Sequence, residues 1–154
     1  MKISDMLLED CVLPNLKATS KTAAIQELAQ ALAQSYPEAG VEELTKILLD
    51  REKLGSTGIG SGVAIPHGKL ASLDKIIAAF GRSEAGVNFD SQDGEPAHLF
   101  FVLVAPENSA GMHLKALAKL SRILKNSGFR QKLLATEDQG ELYKIIVEED
   151  QKST

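Results

Sequence analysis

The run from Ala97 to Ala105, AHLFFVLVA, is apolar at every position except His98. A strand with one wet face alternates apolar and polar residues, and this run does not. Its branched and aromatic side chains suit extended backbone, so it must be covered on both faces, as helices on either side of a sheet would do. The flanking sequence supplies the helices. Ser20 stands before Ile25, Leu28 and Leu32 at helical spacing, and Val41, Leu44, Ile47 and Leu48 form a second stripe. Three residues beyond Leu48 that stripe reaches Arg51, which predicts an inward-pointing guanidinium at the end of the apolar face. His113, Leu117, Leu120 and Leu124 line one face of a later helix, and Phe129 with Leu133 marks a short one. Asp138 followed by Glu141 resembles a capping box before Leu142, Ile145 and Ile146. Ser4 caps an expected opening helix through Leu8. Val63 to Ile65, stopped by Pro66, and Ile76 to Phe80 read as further strands, while Val87 and Phe89 suit a hairpin or edge strand. The order predicts an α/β or α+β sandwich.

The chain has 154 residues, which fits one domain over 1–154 with a polar tail from Glu148 expected to fray. Hydrophobic residues at 44% and charged residues at 25% are the balance of a folded protein. A net charge of −4 gives no reason to expect nucleic acid or an anionic membrane as partner. Cys11 stands alone and cannot form an internal disulfide, which suits a reducing compartment. No stretch approaches the roughly 20 apolar residues of a membrane span. The opening MKISDMLLED carries acids where a signal peptide would be basic and then apolar. A cytoplasmic protein without membrane insertion is expected.

Chemistry concentrates in Arg51 to Lys69, REKLGSTGIGSGVAIPHGK. Glycines at this density let backbone approach a ligand and present N–H groups. A Walker loop fails twice: Gly68-Lys69 runs into Leu70, and Val63 occupies the first glycine position. A dinucleotide fingerprint starting at Gly58 fails at Val63 as well. Two readings remain open on the residues alone. One is a long glycine-rich connection carrying an incidental histidine. The other is a phosphohistidine site, because a neutral imidazole is nucleophilic near pH 7 and phosphoryl transfer asks mainly for positioning and positive charge. Pro66 restricts the backbone before His67, Gly68 leaves room behind it, and Arg51 offers a planar fork of donors. Ser56, Thr57 and Ser61 either donate hydroxyls to a phosphate or turn the loop, and Lys69 is a contact or an exposed cation. His113 falls in a helix's first turn, either as a core histidine or beside unpaired N–H donors, whereas His98 opens a buried strand and is left out of the site. With His67, His98 and His113 scattered and no HExxH or cysteine pair, no metal site and no cofactor are expected.

The same run resembles the active-site signature of the mannitol/fructose-type enzyme IIA domains of the bacterial phosphoenolpyruvate:sugar phosphotransferase system, and most of all their nitrogen-related, regulatory branch. The likeness extends over nearly the whole chain, through the strand after His98 to HLKALAKL. It implies a three-layer sandwich, with a mixed central β-sheet flanked by helices on both faces. It implies that His67 is the phosphoacceptor at Nε2, the tele position, with Arg51 and His113 as its catalytic companions. The implied donor is an HPr-like phosphocarrier protein, itself charged through enzyme I from phosphoenolpyruvate. The implied output is state-dependent binding of regulated target proteins, of which kinases or transporters are the expected kinds. Two other functions stay open: a sugar-specific carrier passing phosphate to a IIB domain, and an anion- or protein-binding module without transfer.

Overall fold

A computed structural model describes residues 1–152. After a 3-10 turn at Ile3–Asp5 come β1 (Leu7–Leu13), α1 (Lys21–Ser35) and α2 (Val41–Lys53). Three short strands follow, β2 (Gly58–Gly60), β3 (Val63–Ala64) and β4 (His67–Lys69), then the long β5 (Ile77–Val87) and β6 (Ala97–Ala105). The chain closes with α3 (Ala110–Leu124), α4 (Ser127–Leu134) and α5 (Gln139–Lys152).

β6 organises the molecule. It pairs antiparallel with β5 on one side and parallel with β3 and β4, end to end, on the other. β1 lies parallel to β5 at one edge, and β2 folds back antiparallel on β3. Every β6 residue but His98 is buried, as its lack of alternation requires. Phe100 and Phe101 are neighbours in an extended strand and so point to opposite faces. Phe101 meets Phe80 at 4.9 Å between ring centroids, and Phe100 meets Phe89 at 5.5 Å. Each buried aromatic contributes about 1.5–3 kcal/mol through burial, so both layers of the sandwich depend on this strand. α1 and α2 pack on each other and on β1, β4 and β5, while α3, α4 and α5 contact one another and β6, β5 and β1. The mixed sheet covered by helices is the sandwich expected above.

Capping agrees with the sequence at α1, where the Ser20 side chain accepts from the Ala23 N–H at 3.2 Å, and at α5, where Asp138 accepts from the Glu141 N–H at 2.9 Å. Four expectations are corrected. Where a helix capped by Ser4 was expected, Ser4 lies inside one 3-10 turn whose N-cap is Lys2, and from Leu7 the chain becomes strand β1, because its backbone finds a partner in β5. Val87 does lie in a hairpin, paired with Ala97 at the end of β5, but the strand stops there and Phe89 lies beyond it. Gly58–Gly60 and His67–Lys69, read as loop, are strands. The tail expected to fray from Glu148 is helical through Lys152, because the buried Asp150 accepts from the Ile3 N–H at 2.7 Å and pairs with Lys119 at 2.7 Å. Positions 153 and 154 of that tail lie outside the described residues.

Candidate functional site

β4 owes its existence to β6. Three residues have no periodicity of their own, but His67, Gly68 and Lys69 stand opposite Leu103, Val104 and Ala105. The break before them is Pro66, which has no N–H to give, although its carbonyl accepts from Leu103 at 3.0 Å. β4 has no strand on its outer side among the described residues. The two helical layers meet at this edge, and an open depression there is lined by Ile47, Asp50, Arg51, Leu54, His67, Gly68, Lys69 and His113.

The sequence therefore named three residues, His67, His113 and Arg51, that the fold brings together from β4, α3 and α2. The His67 and His113 rings stand edge to face with centroids 5.6 Å apart. His67 is half-buried, and its Nδ1 lies 2.6 Å from the Ile65 carbonyl oxygen. A carbonyl only accepts, so Nδ1 carries the proton and Nε2 the lone pair. Burial pushes the His67 pKa below its ordinary value of 6.5; the bond to Ile65 raises it, the Arg51 guanidinium lowers it, and the Glu52 carboxylate raises it. His113 is 7% exposed, and its Nε2 has no hydrogen-bond partner among the described residues. Burial lowers its pKa too, helped by repulsion from His67 in its protonated form and from the Lys69 ammonium. Two neutral imidazoles, one with a free lone pair, thus face a guanidinium at neutral pH. His113 also sits in the first turn of α3, where the N–H groups of Ala110 to Met112 have no acceptor within the helix and the dipole is positive.

Arg51 is where the helical reading needed correction. The buried face of α2 runs Leu44, Leu48, Glu52, a spacing of four, so Glu52 takes the inward position. Arg51, one residue back, turns toward the rim, where Nη1 donates to the Gly55 carbonyl at 2.9 Å. Glu52 was missed, although continuing the stripe by four residues instead of three would have found it.

The glycine-rich loop is not a cradle around His67. Ser61 and Gly62, with φ of 56° and 77°, form the two-residue turn between β2 and β3, where both central residues need positive φ. A Cβ at Gly58 would lie 2.4 Å from the Ser91 hydroxyl oxygen, so that glycine permits close backbone packing. Gly68, expected to leave room for a partner, faces Ile47 of α2, whose Cδ1 would be 3.4 Å from an added Cβ. The loop hydroxyls are spent internally: Ser56 donates to the Phe89 carbonyl and Thr57 to the Glu52 carboxylate. Ser61 sits away from the depression, its N–H on Asp93 at 3.0 Å. His98 lies apart from the site, its Nδ1 2.9 Å from the Ser83 carbonyl oxygen. Lys69 lies on the rim and is exposed. Among the described residues, no group of three or more His, Cys, Asp or Glu side chains could hold a metal ion, and no helix is long and apolar enough to cross a membrane.

Comparison with known proteins agrees over almost the full length. The profile described as "Phosphoenolpyruvate-dependent sugar phosphotransferase system, EIIA 2" matches residues 5–149. A nitrogen regulatory protein of Bradyrhizobium diazoefficiens is 43% identical over 146 residues, 95% of either chain. The fructose-specific EIIABC component of Bacillus subtilis is 37% identical over 97% of this chain but 24% of its own. The crystal structure of the nitrogen regulatory protein IIA-Ntr from Neisseria meningitidis superposes with a TM-score of 0.87 at 34% identity, covering 94% of this chain and 98% of that one.

Proposed function

Because the chain belongs to the EIIA type 2 family of the phosphoenolpyruvate-dependent sugar phosphotransferase system, we propose that it carries a phosphoryl group on Nε2 of His67, received from an HPr-like phosphocarrier, and signals its phosphorylation state to regulated proteins such as kinases or transporters. The observation that carries the reading is the His67 ring itself: Nδ1–H is held by the Ile65 carbonyl, and the ring lines an open depression with Arg51 and His113. In the transfer, the Nε2 lone pair attacks phosphorus as the donor's P–N bond breaks, and the donor imidazole leaves with that bond's electrons. The proton on Nδ1 stays in its bond to Ile65. Arg51 and the α3 N-terminus place positive charge beside the oxygens of the moving group, and His113 Nε2 supplies a further contact to them, so His67, Arg51 and His113 are the proposed catalytic set.

Regulation follows from what surrounds the acceptor. Leu54 on the rim is 84% exposed, and Leu114, next to His113 in α3, is 68% exposed. Apolar side chains of this size on a surface suit protein contact. A phosphoryl group adds roughly two negative charges beside them, disfavouring a partner that covers His67 with apolar surface and favouring one that offers arginine. The nitrogen-regulatory relative favours the signalling branch, and the fructose-specific relative keeps sugar transport as the competing reading. The chain is proposed to act in the cytoplasm through this EIIA domain.

The test is incubation with enzyme I, phosphoenolpyruvate and either a nitrogen-branch or a sugar-branch carrier. The wild type should gain one acid-labile, base-stable phosphate, faster from the nitrogen-branch carrier, and folded His67→Ala should gain none. Label retained by His67→Ala would overturn the assignment. Onward transfer to a fructose IIB domain at the rate of loading would favour the sugar reading.

A further inference from the structure

We propose that Glu52 is a positioning residue for this site: through a chain of hydrogen bonds it holds His67 in the tautomer that leaves Nε2 free. The inference rests on the reading of His67 as acceptor and concerns how that acceptor is prepared.

α2 turns about 100° per residue, so Glu52 points inward where Arg51 points to the rim. Glu52 is 8% exposed. Carboxylates are rarely buried unless paired and hydrogen-bonded, and this one is both. Oε1 lies 2.9 Å from the Lys21 ammonium and accepts from the Thr57 N–H at 3.1 Å, while Oε2 accepts from the Thr57 hydroxyl. The Thr57 carbonyl in turn accepts from the Ile65 N–H at 3.0 Å. The Ile65 carbonyl accepts from His67 Nδ1 at 2.6 Å. Pro66 stands between Ile65 and His67 with its φ fixed, so a rotation of the Ile65 peptide is passed on to the histidine. The guanidinium is held separately from the carboxylate: the Glu52 backbone carbonyl accepts from the Gly55 N–H at 3.1 Å whatever side chain stands at 52, and the Gly55 carbonyl holds Arg51 Nη1.

Lys21 completes the anchor. Its ammonium sits 4.8 Å from the centre of the Phe89 ring and 3.7 Å from the Asp90 carboxylate, so it ties α1 to the segment that receives the Ser56 hydroxyl. The consequence is electronic. A neutral imidazole places its proton on whichever nitrogen has the acceptor. If the Ile65 carbonyl swings away, the Nε2–H tautomer competes, and that ring offers no lone pair to phosphorus.

The test uses Glu52→Gln alone and combined with Lys21→Met, which removes the ammonium that the first change strands. Ring 15N shifts of His67 in the unphosphorylated protein report the tautomer without any transfer. In the double variant we expect wild-type melting, a mixed His67 tautomer, and a maximal phosphorylation rate lowered in proportion to the Nδ1–H fraction that remains, about two- to tenfold, with donor affinity unchanged. Lys21→Met alone should keep the wild-type tautomer. A pure Nδ1–H tautomer in the double variant, or a rate loss no larger than its unfolded fraction, would refute the role. A tautomer shift in a protein that no carrier can phosphorylate would uphold the positioning and overturn instead the acceptor reading.

Discussion

Replacing His113 with leucine should make the protein more stable and nearly inactive. His113 is buried, and its Nε2 finds no hydrogen-bond partner among the described residues. A buried polar atom left unpaired costs about 1–3 kcal/mol. Leucine has similar bulk, favours helix, and carries nothing that needs a partner. For a domain of this size about 1 kcal/mol corresponds to roughly 2–4 °C in Tm, so His113→Leu should melt about 2–12 °C higher. The gain should grow on acidification, since the His113 pKa is lowered by burial and the unfolded chain alone takes up that proton just below pH 6.5. Transfer should fall about 100-fold or more, the loss expected when one preorganised contact to a developing oxyanion disappears. Thermal melts at pH 7.5 and 5.5 and quenched time courses of phosphorylation measure the two effects separately. A fall in Tm would mean that the imidazole is a satisfied core residue. A rise in Tm with transfer intact would remove His113 from the site.

Arg51→Ala should cut the phosphorylation rate about 100- to 1,000-fold while costing under about 1 kcal/mol of stability, because the hydrogen bond its side chain makes to Gly55 is at the exposed rim; a loss confined to carrier affinity in steady-state kinetics would contradict this. The pH–rate profile should fall on an acid limb below 6.5, since burial lowers the His67 pKa, and Arg51→Ala should move that limb upward by removing a lowering charge. Stability should likewise be level above pH 6.5 and drop as pH falls from there toward the lowered folded-state values of His67 and His113, since the unfolded chain binds more protons in that window; titrated denaturant midpoints of wild type and His67→Ala, whose slope should be shallower, decide it. Asp150→Ala strands the buried Lys119 ammonium and should cost about 3–5 kcal/mol, with Lys119→Met/Asp150→Leu recovering most of it in the same melts.

What the amino-acid order determined was whatever has a local period or a local stop. β6 was readable to its ends because an apolar run broken only by His98 has one stable surrounding, and α1 to α5 because stripes and caps act within a turn or two. His67, Arg51 and His113 were readable as residue types suited to one chemistry. Tertiary structure decided the rest. LLEDCVL carries two acids and a register irregularity, so β1 becomes a strand through β5 and not through alternation. HGK is too short to prefer any state, and pairing with β6 makes it β4 and turns its histidine to the sheet edge. Which of Arg51 and Glu52 points inward depends on where the helix packs, a difference of one residue in a 3.6-residue turn. The glycines served a hairpin and close packing because backbone sterics are settled by neighbours such as Ser91 and Ile47, distant in the chain. Local pattern names candidates; only the folded contacts, acting over a few ångströms, say which proton sits on which nitrogen.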